Sequence, residues 1–178
     1  MSHDTRKERT KKALEDAMVE LLKQQNFDEI STSDLAKTAH ISRSNFYNHY
    51  KDKYEMIDIY QQSLFNKLEY IFDKNQFDKR AAFLEIFEFL DRESLFAALL
   101  TQNGTREIQT FIRTKLQKMI SQDLHEIYLD GKAETPVETL YSSVYVSHAV
   151  FGVYQMWVTR GKRETPQEIT KLLLNMLD

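Results

Sequence analysis

The chain has 178 residues, of which 42% are hydrophobic and 29% are charged, a balance typical of a folded protein with a substantial core. It contains four Gly, two Pro and no Cys, which excludes a fold with many tight turns, disulfides, thiolate metal sites and cysteine nucleophiles. The long stretches between these breakers are rich in Lys, Glu, Gln, Leu and Ala, and they predict an all-α protein.

The formal net charge of −3 is unevenly distributed along the chain. Residues 1–53 carry ten Lys and Arg against nine Asp and Glu, whereas the remaining residues carry 14 against 18. Within the first part, residues 1–12 and residues 37–53 each have a local net charge of +3. Such clusters fit solvated helix faces as well as a contact with nucleic acid, so the spacing of the side chains has to distinguish these alternatives.

The sequence predicts a cytoplasmic protein with no membrane partner. Its start, MSHDTRKERTKK, is charged and is not followed by an apolar run, so no secretory signal is expected. The most apolar window, Val144–Val158, is 15 residues long and contains His148 and Gln155. It is therefore too short and too polar to cross a bilayer.

Three short helical units are predicted near the N-terminus, because apolar residues recur there at helical spacing. Ser31 or Thr32 can cap the second unit, His40 and Ile41 form a turn, and Ser42 can cap the third unit. The predicted bounds of these helices are Thr5–Gln25, Asp34–Ala39 and Arg43–Tyr50.

Six further helices are predicted in the rest of the chain, which gives about nine in all. Gly104 and Gly161 mark turns, and Pro136 and Pro166 stand at favoured first positions of helices. The first of the six is about 30 Å long, so it can connect the N-terminal module to the remainder. The predicted bounds are Lys53–Asp73, Phe77–Leu90, Glu93–Gln102, Arg106–Leu129, Pro136–Arg160 and Pro166–Leu177.

The second and third short units have the pattern of a helix-turn-helix. Apolar side chains of both helices and of the turn face inward, and these are Leu35, Ala36, Ala39, Ile41, Phe46 and Tyr50. The other side chains of the third helix are polar or amphipathic and point away, and these are Arg43, Ser44, Asn45, Tyr47, Asn48 and His49. Three-helix cores are common, so the pattern alone is moderately specific for DNA binding.

A polar third helix of this kind can enter the major groove of double-stranded DNA. Asn45 can hydrogen-bond an adenine edge and Arg43 a guanine edge, whereas Tyr47 and His49 can donate to phosphates. Lys53 begins the next helix, where its ammonium group and the backbone N–H groups can hold a phosphate.

The stretch ISTSDLAKTAHISRSNFYNHYKDKYEMI resembles the DNA-binding signature of the TetR family of bacterial transcriptional regulators. The resemblance covers about residues 10–60. His40 stands where the family usually has Gly, and His tolerates the left-handed backbone better than most residues, so we expect the turn to be kept. The residues in register with the family pattern are Thr32, Leu35, Ala36, Ala39, Ile41, Ser42, Phe46, Tyr47, His49, Tyr50, Lys53 and Ile57.

The resemblance implies a helix-turn-helix domain at 1–52 and a regulatory and dimerisation domain at 53–178. It also implies a dimer whose third helices occupy successive major grooves of a pseudo-palindromic operator. The implied phosphate contacts are Thr32, Ser33, Tyr47, His49 and Lys53. The implied base contacts are Arg43, Ser44 and Asn45, and Asn48 lies beside them on the third helix.

The C-terminal part is similar to TetR-type regulators grouped with dihydroxyacetone kinase regulators. The residues that carry this similarity are Trp157, Gly161, Thr165, Pro166 and Glu168. Family members often bind small molecules between their central helices, which implies an effector site. The candidates are Tyr145, His148 and Trp157, with Asn103 and Arg106 for an anionic effector. A buried core histidine and capping or surface roles for Asn103 and Arg106 are the simpler interpretations.

The helix predicted at Pro136–Arg160 is apolar around most of its circumference, so it has to be covered on more than one face. The last predicted helix has the same excess of apolar residues. A partner subunit is the simplest cover, which predicts a homodimer with a four-helix interface; a core helix in a monomer is the alternative. The interface candidates are Val144, Phe151, Tyr154, Val158, Leu173, Met176 and Leu177.

Catalytic and cofactor motifs are absent from the sequence. It contains no HExxH, no GxSxG and no Walker-type glycine loop, so we expect no enzyme activity, no cofactor and no metal site. The predicted function is a DNA-binding repressor released by a small-molecule or protein effector. The alternatives are an activator of the same fold and an adaptor that senses a ligand or partner without binding DNA itself.

Overall fold

A computed structural model describes residues 3–75, 78–127 and 135–177. Within these ranges the chain forms nine α-helices and no strand, which confirms the predicted all-α class. None of these helices combines the length and the apolarity that a bilayer-spanning segment requires. The helices are α1 His3–Leu22, α2 Thr32–Thr38, α3 Arg43–Tyr47, α4 Lys53–Lys74, α5 Lys79–Arg92, α6 Ser94–Leu100, α7 Arg106–Ile127, α8 Pro136–Thr159 and α9 Pro166–Leu177.

Helix starts follow the predicted caps closely, and α3, α4, α7, α8 and α9 begin at the predicted residues. The hydroxyl of Thr135 accepts from the Glu138 N–H, and that of Thr165 accepts from the Glu168 N–H. The predicted end of α3 at Tyr50 is wrong, because the chain leaves the helix after Tyr47 in a tight turn. The predicted end of α7 at Leu129 lies outside the described residues.

The described residues divide into two compact units. The first consists of Met1–Asn66 and Glu93–Thr105, apart from the residues outside the described ranges. In it α1 packs on α2 and α6, and α2 packs on α3. A single 3-10 turn, Phe27–Glu29, connects α1 to the start of α2. The fully buried side chains of this unit include Leu14, Met18, Ile30, Leu35, Phe46 and Phe96.

A segment from the middle of the chain completes the first unit. The side-chain amide of Asn103 donates to the Leu22 carbonyl oxygen at 2.8 Å, and the backbone carbonyl oxygen of Asn103 accepts from the Phe27 N–H at 2.8 Å. The side-chain amide of Gln61 donates to the Thr105 hydroxyl at 2.8 Å. The loop after α6 is therefore tied to both ends of the α1–α2 connection and to α4. The division of function at residues 52 and 53 stays a prediction.

The second unit consists of Lys67–Arg92 and Arg106–Asp178, again apart from the residues outside the described ranges. Here α7 packs on α8, and α9 packs on α5 and α8. The ring of Phe87 makes edge-on contacts with Tyr154 at 4.7 Å and with Trp157 at 5.2 Å between centroids. These aromatic contacts hold the C-terminal half of α8 against α5.

Candidate nucleic-acid interface

The turn between α2 and α3 has the geometry that the sequence predicts. His40 has a φ of 54°, in the left-handed region, which confirms that this residue replaces Gly without loss of the turn. Ser42 caps α3, since its hydroxyl accepts from the Asn45 N–H at 3.1 Å. At the start of α2, hydrogen bonds from Ser31 hold the pKa of the Asp34 carboxyl below its ordinary value. Local capping therefore fixes both helices of the motif.

One face of α3 is exposed and polar. Phe46 is fully buried and anchors the helix, whereas Arg43, Ser44 and Asn48 are exposed. Tyr47 is 50% exposed, and its ring packs edge-on against Phe46 at 5.6 Å. Side chains on this face are free to reach base edges and phosphates, as the sequence predicts for a recognition helix.

The predicted phosphate contacts of α2 lie at the start of that helix. Ser33 is exposed there, and Thr32 is half-buried. Both residues follow the Ser31 cap, so their backbone N–H groups belong to the first turn of α2. Their roles stay predictions.

Asn45 of α3 and His49 in the turn after it face a different side from Arg43. Both are half-buried, and together with Asn48 they line an open groove of about 380 Å³. The opposite wall of this groove is formed by residues of α1, which are Arg6, Lys7 and Thr10. The structure thus divides the predicted residues of α3 between an outward face and a groove beside α1.

His49 has an unusual environment in this groove. Its Nδ1 atom is buried and has no hydrogen-bond partner among the described residues. Burial lowers the pKa of His49 below its ordinary value of 6.5, and the positive charges of Lys7 and Lys11 lower it further. Both effects disfavour the charged imidazolium, and the phosphate contact of His49 stays a prediction.

Lys53 does not present its ammonium group to solvent, in contrast to its predicted role as a phosphate anchor. The side chain is buried, and its Nζ donates to the carbonyl oxygens of Phe27, Asp28 and Ile30, each at 2.7 Å. The rings of Phe27 and Tyr54 flank the ammonium at 4.9 and 5.0 Å. An ammonium has three N–H donors, and all three are used within the chain. Only the backbone at the start of α4 remains for a phosphate.

The predicted effector contacts are divided between the two units. Trp157 is buried, and its indole N–H donates to the Glu164 carbonyl oxygen at 2.9 Å. Tyr145 and His148 are exposed on α8 and lie away from Trp157. Asn103 belongs to the first unit, where its amide is bonded to the end of α1. Trp157 and Asn103 are thus held by hydrogen bonds within the chain, and the effector role of all four residues stays a prediction.

Three of the predicted interface residues belong to the chain's own core. Phe151, Tyr154 and Leu173 are only 4%, 0% and 1% exposed. The guanidinium of Arg113 in α7 lies over the Phe151 ring at 5.0 Å, and Phe87 in α5 covers Tyr154. The neighbouring helices thus cover the face that the sequence assigned to a partner. Of the other candidates, Met176 is 57% exposed, and Val144, Val158 and Leu177 are half-buried.

The exposed apolar face of α8 is not the face that the sequence assigned to the dimer interface. Tyr141 and Tyr145 are 71% and 76% exposed, the largest values among the exposed apolar side chains. Periodicity alone could not find this face, because α8 is apolar nearly all round and the packing of α5, α7 and α9 decides which side is covered. The large exposed apolar side chains of α8 are Val137, Leu140, Tyr141, Tyr145 and Met156.

Metal ligands are not grouped in the part of the chain that the structure describes, where no three His, Asp or Glu side chains are placed to hold an ion. The outward face of α3 and the groove carry hydrogen-bond donors, and Arg43, Arg6 and Lys7 add positive charge there. The arrangement is suited to a polyanion.

Comparison with known families gives two matches along the chain. Residues 14–58 match the family model described as "Bacterial regulatory proteins, tetR family". Residues 79–178 match a model described as "Transcriptional regulator C-terminal region". The second match alone covers more than half of the chain, and the first contains the helix-turn-helix. These families are regulators rather than enzymes, in agreement with the prediction that the chain is not an enzyme.

Individual relatives share low sequence identity with this chain. An uncharacterized HTH-type transcriptional regulator of Bacillus subtilis (strain 168), YxbF, is 24% identical over 98% of this chain. The chain covers 46% of that protein, so it spans about half the length of the curated relative it matches.

Solved structures show the same fold at low sequence identity. The dihydroxyacetone kinase operon activator DhaS is 18% identical, with a TM-score of 0.56 and coverage of 94% of this chain and 93% of that one. The transcriptional regulator FadR from Bacillus subtilis, solved with stearoyl-CoA, is 15% identical, with a TM-score of 0.59 and coverage of 93% and 96%.

Proposed function

Because the chain belongs to the TetR family of transcriptional regulators, we propose that it is a homodimeric, sequence-specific DNA-binding repressor that an effector releases from its operator. The observation that carries the DNA-binding part is the exposed polar face of α3, with Arg43, Ser44 and Tyr47 held on the buried Phe46. Two such helices, related by a dimer axis, would read successive major grooves of a pseudo-palindromic site. The proposed location is the cytoplasm, where the operator is accessible.

Within each half-site, the side chains have distinct proposed roles. Arg43 at the start of α3 forms a bidentate contact with a guanine edge, and Ser44 contacts a neighbouring base. Tyr47 donates to a phosphate, as do Thr32 and Ser33 from the start of α2. These contacts together fix the register of the helix in the groove and supply the base preference.

The homodimer is supported by the exposed apolar residues of α8 and α9. On α8 they recur at intervals of three or four, so they share one face, and these are Val137, Tyr141, Tyr145, Ala149, Gly152 and Met156. Leu172 and Met176 add exposed apolar surface on α9. A second copy of the chain would cover both helices, which agrees with the predicted four-helix interface although it uses other side chains of α8.

Gly152 supports this proposal independently. A glycine in the middle of a helix costs about 1 kcal/mol of stability relative to alanine. A Cβ atom at Gly152 would have nothing within 4 Å, so no neighbour among the described residues requires a glycine there. The close approach of a partner's helix at this point is a physical reason to keep it.

A small-molecule effector is supported by Tyr154 in the core of the second unit. Its hydroxyl is buried and has no hydrogen-bond partner among the described residues, and burial raises its pKa. An unpaired buried hydroxyl is costly, and a polar group of a bound molecule would remove that cost. Acyl-CoA thioesters are the first compounds to test, because the similar FadR structure holds stearoyl-CoA. We expect stabilisation by the effector in a thermal unfolding assay, and a smaller one for Tyr154→Phe.

An activator is the second candidate, because the similar DhaS is described as an operon activator. An in vitro transcription assay, with the operator placed beside a promoter, distinguishes a repressor from an activator. A repressor lowers the transcript yield in the absence of effector, whereas an activator raises it.

Selection from random-sequence duplexes, followed by fluorescence anisotropy, tests the DNA-binding proposal. A repressor or activator enriches a pseudo-palindrome whose half-sites are about one helical turn apart. No enrichment, even at low salt where non-specific binding is strongest, would instead support an adaptor that does not bind DNA itself.

A further inference from the structure

An open groove lies beside the recognition helix and is not explained by base reading. Arg6, Lys7 and Thr10 of α1 form one wall, and Asn45, Asn48 and His49 form the other. The family match begins at residue 14, so the α1 wall precedes the part of the chain that carries the shared signature. The groove is therefore formed in part by residues outside the matched helix-turn-helix region.

The groove has the composition of an anion site. Arg6 and Lys7 are exposed, and none of the described residues that line the groove is acidic. The Thr10 hydroxyl donates to the Arg6 carbonyl oxygen at 3.1 Å, which fixes it within α1. Arg6, Lys7, Asn45 and Asn48 supply N–H donors that can converge on one oxyanion.

The position of the groove relative to α3 indicates which anion it takes. Arg43 and Tyr47 occupy one side of the exposed face, whereas Asn45 and His49 occupy the other and face α1. A helix that lies in the major groove has a phosphate backbone on each side, because that groove is only about 12 Å wide. The α1 side of α3 would therefore meet one of the two backbones.

We propose that Arg6 and Lys7 of α1, with Asn45 and Asn48, bind a DNA backbone phosphate at one edge of each half-site. This inference rests on the proposed function. It assigns Asn45 to phosphate binding, in place of the adenine contact that the sequence suggests. It also extends the DNA contact beyond the helix-turn-helix to the first turns of α1.

The double variant Arg6→Gln, Lys7→Gln tests this assignment in the full chain. The double variant Lys12→Gln, Lys23→Gln is the matched control, because it also removes two positive charges. Both lysines are exposed and lie outside the groove, where Lys12 pairs with Asp16 and Lys23 with Glu20. Both variants change exposed side chains only, and we expect both to unfold at the temperature of the wild type.

Binding to the selected operator is measured by anisotropy as a function of salt. The plot of log affinity against log salt becomes shallower by about 0.9 for each phosphate that the protein no longer neutralises, hence by about two for a dimer that releases one phosphate per subunit. At near-physiological salt we expect affinity about tenfold below that of the control variant. The enriched base sequence stays the same, because phosphate contacts carry no sequence information.

Ethylation interference locates the contact. Phosphates whose ethylation blocks the wild type but no longer affects the double variant should fall at one edge of each half-site. A double variant with the salt slope and interference pattern of the control overturns the inference and leaves the proposed function intact. An altered base preference also overturns it, whereas a wild type that binds no DNA overturns both.

Inorganic phosphate distinguishes a DNA backbone from a free anion. The His49 imidazole resonance reports occupancy of the groove, since this side chain lines it. We expect operator DNA to shift that resonance and millimolar phosphate, at matched ionic strength, to leave it unchanged. A full shift with phosphate alone, together with an unchanged salt slope in the double variant, would identify a small-anion site and contradict the proposal.

Discussion

The ammonium group of Lys53 lies 2.7 Å from the carbonyl oxygen of Phe27 and 4.9 Å from the centroid of the same residue's ring. It also donates to the carbonyl oxygens of Asp28 and Ile30. A buried charge persists only where it is well hydrogen-bonded, and here the turn before α2 supplies all of the acceptors. The first residue of α4 is therefore fastened to the turn that positions the helix-turn-helix.

Lys53→Met should lower the free energy of unfolding by about 2–3 kcal/mol, because the carbonyl oxygens of a buried turn lose a charged donor. The salt dependence of DNA binding should stay as in the wild type, since the ammonium does not reach the DNA. Chemical denaturation and anisotropy at several salt concentrations measure the two quantities.

Lys51→Met is the control for this variant, because Lys51 is exposed and only two residues away. We expect its effect on stability to lie within about 0.5 kcal/mol. A Lys53 variant that is as stable as the control and has a shallower salt slope would restore the role of Lys53 as a direct phosphate anchor.

Arg43→Ala tests base reading by the exposed face of α3. We expect the specific site to lose about 1–3 kcal/mol of binding free energy and the preference at one or two base pairs of each half-site to relax. Asn45→Ala is the comparison, and it should weaken binding without changing the selected sequence. An unaltered consensus for Arg43→Ala would show that another side chain reads the bases.

Much of the first unit could be predicted from the sequence, because local signals determine it. Ser31 and Ser42 cap their helices through short-range hydrogen bonds, and His40 takes the left-handed conformation that the turn requires. The helix-turn-helix follows from such local rules together with a strong hydrophobic period.

The contacts between distant residues could not be predicted in this way. Asn103 is bonded to Leu22, which precedes it by 81 positions, and nothing in the local sequence indicates that pairing. On α8, Tyr145 and Phe151 are both apolar, and only tertiary packing decides that the first is exposed and the second buried. For the same reason the sequence could not show that Phe151, Tyr154 and Leu173 are buried within the chain.

His49→Gln tests the electrostatics of the groove. Because the pKa of folded His49 lies below 6.5, the unfolded chain binds the proton at a higher pH than the folded chain. As the pH falls below about 6.5, protonation therefore favours unfolding, and stability decreases. The groups that face His49 are Arg6, Lys7 and Lys11 of α1, and the Tyr50 ring lies 6.3 Å away.

The glutamine variant removes this proton-binding site, so its free energy of unfolding should decrease less on acidification than that of the wild type. Denaturant titrations between about pH 7 and about pH 5 measure the free energy of unfolding of both proteins. The contributions of the carboxyl groups cancel in the difference between the two. Parallel curves for the two proteins would contradict the environment assigned to His49.

Gly152→Leu separates folding from dimerisation. The leucine should stabilise the helix by about 0.5–1 kcal/mol, because glycine is a poor helix former and the space beside it is open within the chain. The same side chain should block the close approach of a partner's helix and weaken the dimer. Gly152→Ala should give a smaller effect of each kind. A dimer unaffected by leucine would place Gly152 outside the interface.

Tyr145→Glu and Phe151→Glu distinguish the exposed face of α8 from its buried face. Tyr145 is 76% exposed, so the glutamate is tolerated in a monomer but is desolvated beside a partner, and we expect a folded monomer in sedimentation. Phe151 is 4% exposed, so its replacement places a charge in the core and should cost about 4 kcal/mol or more of stability.

Tyr70→Glu, at an exposed tyrosine of α4, is the control and should remain dimeric. A Tyr145→Glu protein that also remains dimeric would exclude this face of α8 as the interface, and a monomeric wild type at micromolar concentration would exclude the homodimer.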